Sequence, residues 1–147
     1  MNVDSINHTY TEDHGRLHEL FQRFQSLKTT NRSEAKGVFN QFKSELERHI
    51  RWEEQILFPW FDHKYANLKF SPIPVLNREH DQILVYLDDI ARKLARDNFD
   101  TKVDEDSIQM VIDMHNEQEE GEFFPALDKV LTDQERAHIL DAMRKCK

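Results

Sequence analysis

The sequence predicts an all-α fold, an up-down-up-down four-helix bundle followed by a short C-terminal fifth helix. Helix breakers are scarce, with three Gly and four Pro among 147 residues, against a usual combined share of about 12%. Apolar residues recur at three- and four-residue steps over several long stretches, the pattern of amphipathic helices. Turn signals are few and brief, so successive helices are expected to be antiparallel neighbours. The length fits one domain, on a prior of roughly 100–200 residues each. That domain takes in residues 1–147, with the bundle over about 10–130 and the terminal helix over about 132–146.

The first helix is expected from about Thr11 to Lys28, where Leu17, Leu20, Phe21, Phe24 and Leu27 form one stripe. Thr9 with Glu12 offers a capping box at its start. After the polar turn Thr29 to Ser33, a second helix runs from about Ser33 to Tyr65, with Val38, Phe39, Phe42, Leu46, Ile50, Ile56 and Leu57 inward. Pro59 lies inside it and should kink it or shift its local hydrogen bonds. Ser71-Pro72-Ile73-Pro74 marks the next break, since Pro suits a first helical turn. The third helix, about Pro74 to Asp97, presents Leu76, Ile83, Leu84, Leu87, Ile90 and Leu94. The fourth, about Glu105 to Val130, presents Ile108, Val111, Ile112, Phe123 and Leu127. Thr132 with Glu135 caps the short fifth helix, which carries Ala137, Ile139, Leu140 and Met143.

Charge and cysteine usage narrow the function classes. A net charge of −8, with basic residues dispersed among acids, argues against a nucleic-acid partner. No apolar run approaches the roughly 18 residues of a membrane span, and Met1 to Tyr10 lacks the pattern of a signal peptide. The expected setting is cytoplasmic, with no membrane association. The lone Cys146 permits neither an internal disulfide nor a thiolate metal site. No Ser-His-Asp or Cys-His arrangement stands out, which leaves eight histidines to explain.

An internal repeat accounts for half of them. His14 answers to His80, His49 to His115, Glu53 to Glu119 and Glu54 to Glu120, each 66 residues on. Phe58, Pro59 and Asp62 answer to Phe124, Pro125 and Asp128 at the same offset. Each half is therefore a helical hairpin, with a His on its first helix and His-x-x-x-Glu-Glu on its second. Residues four apart share a helix face, so His49 with Glu53, and His115 with Glu119, aim an imidazole and a carboxylate at one spot. Facing helices of a bundle collect such groups into dinuclear carboxylate-bridged metal sites. Four imidazoles and two carboxylates without thiolate suit iron or manganese, with zinc and copper possible by raw affinity.

The order His14, His49-x3-Glu53, His80, His115-x3-Glu119 resembles the hemerythrin-like (HHE) cation-binding domain, and the paired Glu-Glu-x3-Phe-Pro segments add to the match. The resemblance covers essentially the whole chain. It implies a non-haem di-iron site with His14 and His49 on one iron, His80 and His115 on the other, and Glu53 and Glu119 bridging. It implies binding or sensing of a small gaseous or peroxide ligand such as dioxygen or nitric oxide, or iron handling. The alternatives for this chain are a di-iron enzyme that reduces nitric oxide or peroxide or supports iron–sulfur cluster repair, and a metal-stabilised interaction module whose protein partner is unknown. Oxygen-carrying hemerythrins place His-x3-His on the third helix and His-x4-Asp on the fourth. Here Leu84 follows His80 by four and Glu120 follows His115 by five. The pattern is closer to hemerythrin-like proteins with four His and two Glu.

His18 is the remaining candidate, because His14-x3-His18 places a His on the first helix where the third has Leu84. It reads either as a fifth metal ligand or as a histidine at the edge of the stripe. Glu54 and Glu120 are alternative bridges, but a rotation of about 100° from the ligand face suits them better to solvated positions or to hydrogen bonds to the ligands from outside. Glu45 and Glu79 are weaker candidates for that role. His8, His63 and His138 have no repeat partners and read as surface residues. Trp52, Phe58, Trp60, Phe61, Phe123 and Phe124 read as core or as walls of a dry pocket. Tyr10, Tyr65 and Tyr86 are each within possible reach of a metal, and nothing in the sequence singles one out.

Overall fold

The computed structural model describes residues 4–146. α1 (Ile6–Leu27) begins well before Thr11. The Ser5 hydroxyl caps it, accepting from the His8 amide at 2.9 Å, and the Asp128 carboxylate accepts from the amides of Ile6 and Asn7 at 2.8 and 2.9 Å. These bonds satisfy the orphan donors of the first turn. Thr9 therefore lies inside the helix, and the expected Thr9–Glu12 capping box does not form. Ser5 is a local signal for this start, and the Asp128 carboxylate that reinforces it sits more than 120 residues away in sequence.

The second helix is continuous from end to end but changes its winding. Asn31 caps α2 (Arg32–Trp52) by accepting from the Glu34 amide. A π turn over Glu53–Leu57 then leads directly into α3 (Phe58–Lys64). The fourth helix does the same: α5 (Lys102–Gln118), a π turn over Glu119–Phe123, and α6 (Phe124–Val130). Prolines at the start of α3 and α6 explain the local change. Pro59 and Pro125 have no N–H to donate, and their rings crowd the carbonyl four residues back. Widening the preceding turn moves the bonding to Phe58 N–H with Glu53 C=O, and to Phe124 N–H with Glu119 C=O.

Between these long elements lies α4 (Ile73–Ala95). It ends at Asp97, in the left-handed region at φ 60°, where the amides of Asp97 and Asn98 turn back to Leu94 and Lys93, closing the last carbonyls. α7 (Asp133–Lys145) starts with the expected capping box, Glu135 N–H to the Thr132 hydroxyl at 3.1 Å and Thr132 N–H to the Glu135 carboxylate at 2.8 Å. α1 pairs with α2 and α4 with α5, while α1 meets α6 and α2 meets α4, which closes the four-helix bundle. α7 packs on the first π turn, burying Ile139 and Met143. Ala137, expected inward, is exposed, because α7 contacts the bundle on a narrow stripe only.

The core is split into two apolar clusters with a polar layer between them. One cluster holds Leu17, Phe21, Phe42, Leu46, Ile83 and Val111 among others. The second holds Tyr10, Leu57, Phe58, Leu76, Phe123 and Phe124 among others. On each helix the repeat-related His or Glu falls in sequence between residues of the first cluster and residues of the second. At the far end of the bundle Glu105, 1% exposed, is paired with Lys28 and accepts from the Thr101 hydroxyl at 2.5 Å and the Gln25 amide at 3.1 Å. Among the described residues no helix is long and apolar enough to cross a membrane.

Candidate metal centre

Six buried side chains meet in the polar layer: His14, His49, Glu53, His80, His115 and Glu119. His14 comes from α1 and His80 from α4. His49 and His115 end the regular stretches of α2 and α5, and Glu53 and Glu119 open the two π turns. The groups fall into two sets of four, His14, His49, Glu53, Glu119 and Glu53, His80, His115, Glu119, with donor atoms within 4.8 Å of one another in each. Both glutamates belong to both sets.

The atom pairing shows how. In the first set the Nε2 atoms of His14 and His49 are 3.1 Å apart. Glu53 Oε2 lies 2.9 Å from His49 Nε2 and Glu119 Oε1 lies 3.3 Å from His14 Nε2. In the second set the Nε2 atoms of His80 and His115 are 3.2 Å apart. Glu53 Oε1 lies 2.7 Å from His80 Nε2, and Glu119 Oε2 lies 3.2 Å from His115 Nε2. Each carboxylate thus turns one oxygen to each set. Donors at about 2.1 Å from a common ion, set 90–109° apart, are separated by roughly 3.0–3.4 Å, so the spacing fits a cation in each set.

Four outer carboxylates fix the imidazoles. Each Nδ1–H donates outward: His49 to Asp13 at 2.7 Å, His115 to Glu79 at 2.9 Å, His14 to Glu120 at 2.8 Å and His80 to Glu54 at 2.7 Å. A carboxylate on Nδ1 fixes the tautomer and leaves the Nε2 lone pair facing inward. Asp13 and Glu79 occupy equivalent positions in the repeat, each preceding one His and holding the other His of its own half. Glu54 and Glu120 instead cross between halves. Glu54 and Glu120 therefore take the outside role expected of them, as does Glu79. Asp13 went unnoticed because its counterpart is Glu and an identity match passes over the pair. Glu45 acts one step further out, paired with Arg16, which also donates to Asp13 at 2.6 and 3.1 Å.

Electrostatics follow from this packing. Burial depresses the His49 imidazole, but Glu53 and Asp13 outweigh it and push its pKa up to about 10. The same contest raises His80, through Glu53 and Glu54, and His115, through Glu119, Glu53 and Glu79. Burial works against the Glu53 charge, yet His49, His115 and His80 hold its carboxyl well below the usual range. The surrounding carboxylates thus attract positive charge to Nε2 atoms, as protons or as metal ions. Both Glu119 oxygens are buried and accept no hydrogen bond, although imidazole nitrogens lie 3.2–3.3 Å away out of hydrogen-bonding alignment. An orphaned buried carboxylate of this kind is costly without a cation.

A family model described as the hemerythrin HHE cation-binding domain matches residues 5–127. The chain belongs to the hemerythrin HHE cation-binding domain family. No curated protein and no solved structure matches it. As in a hemerythrin-like domain, its buried His/Glu cluster could hold metal, and the donor chemistry fits that group. His18 lies outside both donor sets and is exposed, at the edge of a cavity of about 360 Å³ that reaches His14, His49, His80 and His115. Leu17, Phe21, Phe42, Leu46, Ile83 and Ile112 form the apolar wall of this cavity. His8, His63 and His138 are exposed, as expected.

The structure also separates the three tyrosines. Tyr65 donates to the Ala126 carbonyl at 2.7 Å, and Tyr86 packs against the first apolar cluster. Tyr10 is fully buried, its ring edge-on to His49 at 5.4 Å between centroids, and its hydroxyl has no hydrogen-bond partner. Burial, then the charges of Glu53 and Glu119, push the Tyr10 hydroxyl well above its ordinary pKa. Phe58 stacks on His80 at 5.7 Å, and Phe124 lies 5.8 Å from His14. The aromatic residues after the His-x3-Glu segments thus wall the site on the side away from the cavity.

Proposed function

We propose that the protein is a non-haem di-iron protein that binds or senses a small gaseous or peroxide ligand such as dioxygen or nitric oxide. The observation that carries this reading is the division of labour in Glu53 and Glu119, each offering one oxygen to each donor set. His14 and His49 would hold one iron, His80 and His115 the other, with both glutamates bridging. Manganese or zinc would find the same mixed nitrogen–oxygen donors acceptable. When bound, the two irons supply exchangeable electrons and a coordination position for the ligand.

The chain's own residues do the rest. Asp13, Glu79, Glu54 and Glu120 orient the imidazoles so that each Nε2 faces the metal, which takes the place of its proton on binding. Leu17, Phe21, Phe42, Leu46, Ile83 and Ile112 exclude bulk water from the ligand's side, which favours small, weakly hydrated ligands. The single cysteine fits a cytoplasmic setting. The test is anaerobic loading with ferrous iron followed by dioxygen or nitric oxide. A ligand-dependent charge-transfer spectrum at stoichiometric addition supports binding or sensing. Multiple turnovers of nitric oxide or peroxide move the assignment to a di-iron enzyme. No spectral response to either ligand by an iron-loaded protein refutes the proposal.

A further inference from the structure

The two halves obey their pseudo-twofold relation at the metal ligands and break it at the helix seams. On the α2–α4 seam, Ile50 and Leu84 pack into the first apolar cluster, and Lys43 reaches Asp88 at 3.9 Å and Glu47 at 3.1 Å. Subtracting or adding the repeat offset gives the matching residues of the α1–α5 seam. Asn116 stands where Ile50 would be, His18 where Leu84 would be, and Gly15 where Asp81 would be. All three line the cavity that leads to the four histidines. Gly15 and His18 are exposed and Asn116 is half-buried.

Gly15 is hard to explain by the fold alone. It lies inside α1 in ordinary helical conformation, where glycine is the poorest choice after proline, and its φ is not positive. A Cβ there would meet nothing within 4 Å, so no close approach of another element requires glycine. What the missing side chain leaves is open space at the rim of the cavity.

We propose that the α1–α5 seam is the entrance through which a diatomic or triatomic ligand reaches the metal centre, and that Gly15, His18 and Asn116 set its width. The inference rests on the small-ligand reading above and identifies its route. The opposite seam is sealed by Ile50 and Leu84, which confines entry to one side of a nearly symmetric site. A mouth of this kind acts on rates and leaves equilibrium unchanged, because a narrowed passage slows entry and exit together. His18 then belongs to the entrance and is not a ligand of the metal.

The test uses two narrowed variants, Gly15→Leu and the double variant His18→Leu/Asn116→Ile, which copies the sealed seam. Gly37→Leu serves as control, since Gly37 is another exposed helical glycine with open space around its Cβ and lies away from the cavity. Two probes report entry: azide association to the diferric protein by stopped flow, and xenon exchange in the metal-free protein by NMR. Both narrowed variants should keep wild-type metal content and azide Kd, while azide association and xenon exchange slow at least tenfold; Gly37→Leu should change neither rate by more than twofold. Unchanged rates for both probes in folded narrowed variants overturn the entrance. So does a changed azide Kd with an unchanged association rate, which would make these residues direct contacts of the ligand. If the wild-type protein binds no azide but xenon exchange slows as stated, the entrance stands and the di-iron reading falls. If azide binds and its association is not slowed, the reverse holds.

Discussion

Glu53 and Glu119 are equivalent in the repeat but not in their hydrogen bonding, and isosteric replacement should separate them. Glu53 accepts from His49 at 2.9 Å and His80 at 2.7 Å, with His115 at 3.4 Å. Glu119 accepts none. Gln keeps one accepting oxygen and turns an NH2 toward the other imidazole, so the change loses one charged bond of about 1.5–3 kcal/mol and leaves buried donors facing each other at about 1–3 kcal/mol, about 3–6 kcal/mol together. Glu53→Gln should therefore destabilise the metal-free protein by that amount, a fall of roughly 6–24 °C in Tm for a domain of this size. Glu119→Gln removes a buried charge that accepts no hydrogen bond, while the lost attraction to His115 and His14, 3.2 and 3.3 Å away, offsets that relief. It should leave metal-free stability within about 1 kcal/mol of wild type. Both variants should lose metal, because each carboxylate serves both donor sets. Urea denaturation of metal-free and metal-loaded protein measures all four quantities. Equal destabilisation of the metal-free protein by the two variants would refute the reasoning, as would full metal retention by either.

Three further outcomes follow from the outer carboxylates, the titrating imidazoles and the far end of the bundle. Asp13→Asn removes the acceptor that orients His49 and should weaken metal affinity by roughly 10–100-fold while the helical circular dichroism is retained, as a chelator competition would show. For pH dependence, the His49 pKa rises from 6.5 unfolded to about 10 folded. Its contribution to metal-free stability is thus full below pH 6.5 and lost as pH climbs through about 10. Denaturation curves over that window should show falling stability for metal-free protein, whereas the metal-loaded protein should not share the decline, since there metal replaces those protons. Glu105→Ala strips the partner from half-buried Lys28 and should cost about 3–5 kcal/mol, with metal content unchanged because the pair sits at the far end of the bundle. Loss of metal in that folded variant would show that the two ends are coupled.

Much of the fold was legible because helical periodicity and capping are local. The Thr132–Glu135 box needed only neighbouring residues. The buried cluster was legible for another reason: the repeat duplicated rare residue types at one offset, so His14, His49, His80 and His115 identified each other. What escaped the sequence depended on distant or approximate matches. The start of α1 is reinforced by Asp128, from α6. Asp13 escaped because the repeat preserves its charge and not its identity. The π turns insert one residue into helices whose apolar stripe continues almost unbroken, so periodicity registers Pro59 and Pro125 but not the widened turn before them. The repeat leaves the place of His18 open, because its counterpart is Leu84.

The central claim is that two metal ions share Glu53 and Glu119. Elemental analysis of the protein after anaerobic reconstitution with ferrous iron and desalting tests it most directly. Two irons per chain are expected, falling to one or fewer in both Glu53→Gln and Glu119→Gln. One iron or fewer in the wild-type protein, after loading under those conditions, would contradict it.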